Sequence, residues 1–365
     1  MSAAGRGAGV GRTMRAVVLT RPGPAGSMAG AGEPAAIELR ELPVPVPGPV
    51  EALIRVAAVG ICGTDLHLRR GDHVVHDGDL VPGHELSGEV VEVGDQVVGL
   101  RPGDLVVADP NVPCRSCRQC QRGRSNLCER YQAVGVTRAG AAAEYVVCPA
   151  AGCVVLPTAW RDDPRAVQDA ALVEPLSCAV RGIDVLRLPL AASALVYGAG
   201  TMGLMIADLL RRAGAASVAV VDPNPSKVQV AHRVGAVATA PDPDALDPAP
   251  PDREWDVVVD CTGVPAAIED GLGRVARGGT FLQFGVAPTA ARVQLDPHRI
   301  YQREITVTGS MAVLDSFARA VDLLVAGALD PEVYITHRLP LDRYAEGLEA
   351  FARGETRKVL VLPGA

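Results

Sequence analysis

Four cysteines stand close together in the stretch PCRSCRQCQRGRSNLC: Cys114, Cys117, Cys120 and Cys128, spaced C-x2-C-x2-C-x7-C. Four thiolates this near in sequence can close around one tetrahedral zinc. A site whose positions are all thiolate has no opening for substrate, so such a zinc would be structural. Two other chemistries also use clustered cysteines. A redox pair needs a single C-x-x-C and leaves the remaining two thiols unexplained. An iron–sulfur cluster draws on three or four cysteines in short runs, although the x7 gap and the lack of a proline after Cys128 depart from that pattern.

A second set mixes its donor types: Cys62 in GICGTDLH, His84 and Glu85 in PGHE, and Glu174 in ALVEPLSC. Sulfur, nitrogen and oxygen donors together suit a catalytic zinc that must keep one coordination position open. Taken singly, each has a plainer reading: Cys62 as a buried core thiol, His84 as a turn residue bonding locally, Glu174 as a helix cap. Their presence beside a complete four-cysteine array favours the metal. The third signal is G-x-G-x-x-G, Gly198, Gly200 and Gly203 in VYGAGTMGLM, with a β run before it, a helix after it, and Asp222 closing the next β run. Gly198 would permit the tight turn, Gly200 would let a pyrophosphate approach the backbone, and Gly203 would allow close helix packing. Thr201 and Met202 open the helix whose free N–H groups face the phosphates. A carboxylate at Asp222 would accept from both ribose hydroxyls and repel a 2′-phosphate, which predicts NAD in preference to NADP.

Elements must carry these residues, and the chain has the means to build them. Of 365 residues, 48% are hydrophobic and 21% charged, which is the balance of a folded globular protein in about two domains. With 42 acidic against 35 basic side chains and a formal charge of −7, it lacks the footprint of a nucleic-acid or anionic-membrane binder. No apolar run is long enough to span a bilayer. The Gly/Ala-rich start precedes only a short apolar run, which is no secretory signal. The odd count of 9 cysteines argues against a disulfide framework and for a reducing compartment, the cytoplasm.

Residues 1–13 read as a flexible N-terminal tail. From residue 14 to about 175, short β runs (MRAVVL, IELRELPVP, EALIRVAAVG, LSGEVVEVG, DLVVAD, EYVVC) are punctuated by Gly, Pro and Asp, which predicts an antiparallel β domain. Over 176–311 five β runs, SALVY, SVAVVD, WDVVVD, GTFLQFGV and ITVTGSM, begin by alternating with helices, the pattern of a doubly wound parallel sheet. Residues 312–365 hold two helical stretches, from Ser316 and from Asp342, and the runs THRLPL and KVLVLP. That tail is too short to be a third domain, so the α/β sheet is read as inserted into the β domain, with a cleft expected between them.

These residues together resemble the zinc-dependent medium-chain dehydrogenase/reductase superfamily, alcohol dehydrogenase-like, and within it the sorbitol (polyol) and threonine dehydrogenase branch. GICGTDLH, PGHE, the four-cysteine lobe, ALVEPLSC, YGAGTMG, DCTG and ITVTGSM occur in family order from about residue 14 to 365. The resemblance implies a GroES-like β catalytic domain with an inserted Rossmann sheet, a catalytic and a structural zinc in each chain, and assembly into homodimers or homotetramers. It makes Cys62 and His84 zinc ligands, Glu85 a third and exchangeable ligand, and Glu174 either a ligand or the holder of the zinc's water. Glu174 stands where the better-known alcohol dehydrogenases have a cysteine, which points to the polyol branch. The same resemblance makes Thr64 the hydroxyl beside the zinc and His67 the outer member of a proton relay. Asp65 becomes a carboxylate that orients the zinc site, and Arg357 a contact to the cofactor pyrophosphate, with Lys358 as the alternative. Cys178 is read as core. His73 and His76 match no ligand position and read as loop.

The implied reaction is reversible oxidation of a secondary alcohol to the ketone, with hydride passing to the nicotinamide. A small polar alcohol is expected, and with only 3% aromatic residues a polyol, sugar alcohol or cyclitol leads over threonine and simple secondary alcohols. Two competing classes remain at this point. A zinc-free quinone or enoyl reductase would share the architecture without needing Cys62, His84 and Glu174. A zinc-stabilised binding protein would keep the fold without turnover.

Overall fold

The computed structural model describes residues 12–20, 34–71 and 78–365, so His73 and His76 lie outside the described residues. The chain forms two units. The first comprises residues through Glu174 together with Val321–Pro331 and Ile335–Ala365, and the second Pro175–Ala320 with Glu332–Tyr334. The sequence places the return to the first unit at residue 312; the chain re-enters it at Val321, part-way along the helix Phe317–Val325.

In the first unit a sheet runs in the order Ile335–Pro340, Lys358–Leu362, Glu51–Gly60, Glu85–Val93, Leu105–Ala108, Cys153–Val155, and Tyr145–Pro149 also pairs with Glu51–Gly60. Glu51–Gly60 is flanked by three strands, and its Ala52, Ile54, Ala58 and Val59 are fully buried. Ala52, Ile54 and Val59 pack with Ile61, Leu86, Val90, Val106, Val359 and Val361 into one core. Trimming a residue such as Ile54 to alanine there would cost about 2–5 kcal/mol. One pair departs from the antiparallel pattern expected from sequence: Ile335–Pro340 and Lys358–Leu362 run parallel, joined over the helix Tyr344–Ala352. Parallel neighbours need such a crossover, and the helical pattern between the two runs supplies it. Thr13–Thr20 and Ala36–Pro43 form their own antiparallel ladder. A short pair, Asn111–Val112 with Gln132–Ala133, draws together the two ends of the cysteine segment.

The second unit holds a parallel sheet in the order Ala238–Ala240, Ser217–Val221, Ser193–Tyr197, Trp255–Asp260, Val275–Gln283, Thr306–Gly309. Strand order reverses beside Ser193–Tyr197, which makes the sheet doubly wound and puts the turn after Tyr197 at the place where such sheets receive ligands. Ala238–Ala240 is a strand the sequence does not announce, because Ala-Thr-Ala lacks the bulky β-branched run that marks its neighbours. Helices Thr201–Arg212, Pro225–Ala231 and Pro265–Gly273 connect the strands. Among the described residues, no helix is long and apolar enough to cross a membrane.

Candidate active site

Strand pairing assembles the mixed-donor set. Gly60, at the end of its strand, lies opposite Glu85 at the start of the next, so that Cys62 and His84, just beyond the pair, are brought side by side. One donor atom each from Cys62, His84 and Glu85 falls within 4.8 Å of the others. Cys62 caps the helix Gly63–Arg70, and Asp65 in the first turn reaches back to accept from the Cys62 N–H at 2.8 Å. Gly60 is required by close approach: a Cβ there would stand 2.0 Å from the Glu85 Oε2.

Glu85 is also held from its far side. Lys358 Nζ donates to both of its oxygens, at 2.7 and 2.6 Å, and to the Ile61 carbonyl at 3.0 Å, with both side chains almost fully buried. Burial alone would depress the lysine, but Glu85 and then Cys62 outweigh it and hold its pKa above the ordinary value. Burial likewise opposes a charge on His84, yet the hydrogen bond to Cys62 and the negative field of Cys62, Glu174 and Asp65 push it up to about 10. The pocket is therefore electrically prepared for positive charge. His84 Nδ1 is buried with no hydrogen-bond partner among the described residues. Sulfur, imidazole and carboxylate donors around a spot that attracts a cation fit zinc.

Glu174 is buried in the first turn of the helix Val173–Leu186. It is not among the three clustered donors, but its charge is felt by His84 and Lys358. The Thr64 hydroxyl lies 3.9 Å from Cys62 Sγ. His67 follows one turn later on the same helix, half-buried, a spacing that puts hydroxyl and imidazole on one helix face.

The sulfurs of Cys114, Cys117, Cys120 and Cys128 also lie within 4.8 Å of one another. Cys117 and Cys128 Sγ are 4.0 Å apart. A tetrahedral ion with Zn–S near 2.3 Å separates its sulfurs by roughly 3.8 Å, so the spacing suits one ion rather than an iron–sulfur cluster between the thiols. Backbone N–H groups of Cys114 and Arg130 donate to Cys128 Sγ and that of Cys117 to Cys114 Sγ, each at 3.3 Å, while the Arg130 guanidinium reaches Cys114 Sγ at 3.5 Å. Such donors favour thiolate, and Cys114 falls to about 5, led by the backbone of Ser116.

In the second unit Gly198 adopts φ +98°, a conformation side chains disfavour, and a Cβ on Gly203 would stand 1.7 Å from the Gly198 carbonyl. Gly200, the N-cap of Thr201–Arg212, faces open space. Thr201 Oγ1 is buried and has no partner among the described residues, and Met202 beside it is half-buried. Asp222 accepts from the Ala199 N–H and the Asn224 N–H, both at 2.9 Å, so it braces the glycine turn with one lone pair on each oxygen. The turn fits a nicotinamide dinucleotide: an open glycine, free helix N–H groups and a carboxylate with lone pairs to spare.

Arg357 is half-buried at the entry to the last strand, with its N–H on Thr336 Oγ1 at 3.3 Å. Lys358, the alternative cofactor contact, is corrected: only 2% exposed and committed to Glu85, it is an internal counter-ion. A lysine opening a strand that is otherwise apolar was the available signal, since a buried cation requires a buried anion.

Residues 48–158 match the alcohol dehydrogenase GroES-like domain and residues 201–326 the zinc-binding dehydrogenase family. The chain is 38% identical over 324 residues to D-arabinitol dehydrogenase 1 of Uromyces fabae, covering 86% of this chain and 90% of that one. It is 36% identical over 313 residues to D-altritol 5-dehydrogenase of Agrobacterium fabrum, covering 83% and 89%. To L-threonine 3-dehydrogenase of Saccharopolyspora erythraea it is 33% identical over 360 residues, covering 95% and 98%. Among solved structures, a candidate zinc-binding dehydrogenase of Sinorhizobium meliloti 1021 bound to NADP superposes with a TM-score of 0.87 at 35% identity, covering 96% of this chain and all of that one.

Proposed function

The chain belongs to the zinc-dependent medium-chain dehydrogenase/reductase superfamily, oxidoreductases of CH–OH donors, and on that premise we propose that it reversibly oxidises a secondary hydroxyl of a polyol to the ketone with NAD. The observation that carries the reading is the convergence of Cys62, His84 and Glu85 donors within 4.8 Å, beside the Thr64 hydroxyl. Greater identity to the arabinitol and altritol enzymes than to the threonine enzyme supports the polyol.

Cys62 and His84 would hold the catalytic zinc, with Glu85 as a third donor that Lys358 can reclaim. Cys114, Cys117, Cys120 and Cys128 would hold a structural one, for two zinc ions per chain. Bound zinc supplies Lewis acidity towards the alcohol oxygen, and bound NAD supplies the hydride acceptor. Thr64 would take the hydroxyl proton at Oγ1 while passing its own onward, and His67 would release it to water, a route worth about 10²–10⁴ in rate. Glu174, buried and outside the donor cluster, would hold a water rather than the ion. Gly198 to Gly203, with Thr201 and Met202, would seat the pyrophosphate, Arg357 would add a positive charge to it, and Asp222 would accept the ribose hydroxyls. Nine free cysteines support a reducing, cytoplasmic setting. The exposed edge strand Thr306–Gly309 supports pairing of two copies.

Metal analysis and a panel of arabinitol, altritol, sorbitol, L-threonine and 2-alkanols, followed by NADH absorbance, test the reading. It expects two zinc ions, loss of turnover with chelator, and the highest kcat/KM on a polyol. Full activity in a zinc-free chain, or threonine as the best substrate, overturns it.

A further inference from the structure

A carboxylate lies fully buried where the strand Trp255–Asp260 ends: Asp260 is 0% exposed. Four neutral donors hold its charge. Oδ1 accepts from the Thr262 N–H at 3.0 Å and the Thr262 hydroxyl at 2.5 Å, and Oδ2 from the Gly263 N–H at 2.9 Å and the Gln283 side-chain amide at 2.7 Å. Gln283 ends the neighbouring strand Val275–Gln283 directly opposite Asp260, and the same Nε2 also donates to the Gly285 carbonyl at 2.7 Å. A buried charge is costly unless donors of this kind surround it. Three of them belong to the turn that follows Asp260, and the fourth ties it to the turn that follows Gln283. The carboxylate therefore specifies the path of the chain beyond the strands rather than the strands themselves.

The two turns lie against each other and against the glycine turn. A Cβ on Gly285 would stand 2.4 Å from the Gly263 nitrogen, and one on Gly198 would stand 3.0 Å from Thr262 Cγ2. The Cys261 N–H donates to the Tyr197 carbonyl at 3.0 Å, one residue before Gly198. Asp222 follows the strand on one side of Ser193–Tyr197, whereas Asp260 and Gln283 end the two strands on the other side. A doubly wound sheet takes a dinucleotide across the point where its strand order reverses, one nucleotide to each side. With the adenosine ribose at Asp222, the second nucleotide falls to the side of Asp260. We propose that Asp260 and Gln283 are positioning residues of the cofactor seat: through their shared hydrogen bond they fix the turns 261–264 and 284–286 against Gly198, and so shape the place taken by the nicotinamide half. The inference rests on the reading of Gly198 to Gly203 as a dinucleotide turn.

The test compares the full-length parent with Gln283→Met, Thr262→Val and Asp260→Asn. Dissociation constants of NADH and of AMP, measured by titration calorimetry, are the readouts beside kinetics. AMP occupies only the Asp222 side, so it separates a local change in the seat from a general loosening of the second unit. A hydrogen bond to a charged group is worth about tenfold or more in an equilibrium constant. Gln283→Met is therefore expected to weaken NADH about tenfold and to raise KM for NAD alike, while AMP affinity stays within about twofold of the parent. Thr262→Val, which keeps a methyl towards Gly198 and removes the hydroxyl, should act in the same direction. In the Asp260→Asn background Gln283→Met should add little. If Asp260→Asn does not fold, the other two variants decide. Parental NADH affinity in Gln283→Met overturns this inference alone, as does an equal loss of AMP and NADH. A parent that binds neither nucleotide overturns the proposed function and this inference with it.

Discussion

Lys358 and Glu85, far apart in sequence, form a nearly solvent-free ion pair in which one ammonium contacts both carboxylate oxygens at 2.7 and 2.6 Å. Removing one partner of a buried pair leaves the other charge uncompensated, at a cost of about 3–5 kcal/mol. Lys358→Met should lower the stability of the first unit by that amount, seen as an earlier transition in urea. Adding Glu85→Gln should recover a good part of it. A Lys358→Met protein within about 1 kcal/mol of the parent would show that the pair is not what holds Glu85.

The cysteine lobe should be separable from turnover. Cys128→Ser removes a sulfur that accepts from two backbone N–H groups and one corner of the four-sulfur cage. The variant is expected to hold one zinc fewer by elemental analysis and to inactivate much faster on warming. Its kcat at low temperature should stay within a few-fold of the parent. Immediate loss of all turnover in a folded, one-zinc protein would move the lobe into the catalytic machinery.

Asp222 braces the glycine turn and, on the proposed reading, would also accept the ribose hydroxyls. Asp222→Ser should raise the NADP to NAD ratio of kcat/KM at least tenfold, because a carboxylate repels the 2′-phosphate and a hydroxyl accepts it. The NAD value itself should fall, since the Ala199 and Asn224 N–H groups lose their acceptor. Steady-state kinetics with both cofactors decides; an unchanged ratio removes Asp222 from cofactor choice.

Glu51 provides a pH-dependent contribution away from the site. Burial pulls its pKa up, but Arg138 at 2.6 Å and the Gly48 N–H at 3.0 Å outweigh that and hold it below 4.5. The folded state binds this proton less readily than the unfolded chain, so the pair stabilises the protein above pH 4.5. The contribution disappears as pH falls through the lower folded value. Glu51→Gln should cost about 1 kcal/mol at neutral pH, with the gap to the parent closing in acid, as read from denaturation across pH 3–7. A gap that persists in acid would assign the cost to packing.

What the sequence reveals about this site follows from distance along the chain. Cys114 to Cys128 and Gly198 to Gly203 are legible because each arrangement is local, and a thiol cage or a phosphate turn needs its residue types at fixed short spacing. Cys62, His84 and Glu85 are legible as types, but their meeting depends on the pairing of Gly60 with Glu85. Lys358 comes from the far end of the chain through a parallel crossover: a lysine opening an apolar strand signals a buried anion, but nothing local identifies Glu85 as that anion. The strand Ala238–Ala240 escapes notice for a different reason, since three small residues carry no periodic apolar signal.

Lys358 lies 273 residues beyond the carboxylate it neutralises, whereas the thiol cage closes between Cys114 and Cys128. On the proposed reading, the cage would be complete for its ion once Cys128 has left the ribosome. Glu85 would lack its counter-ion until the closing strand docks, so a chain stalled before residue 358 would hold a complete thiol cage beside an uncompensated buried carboxylate.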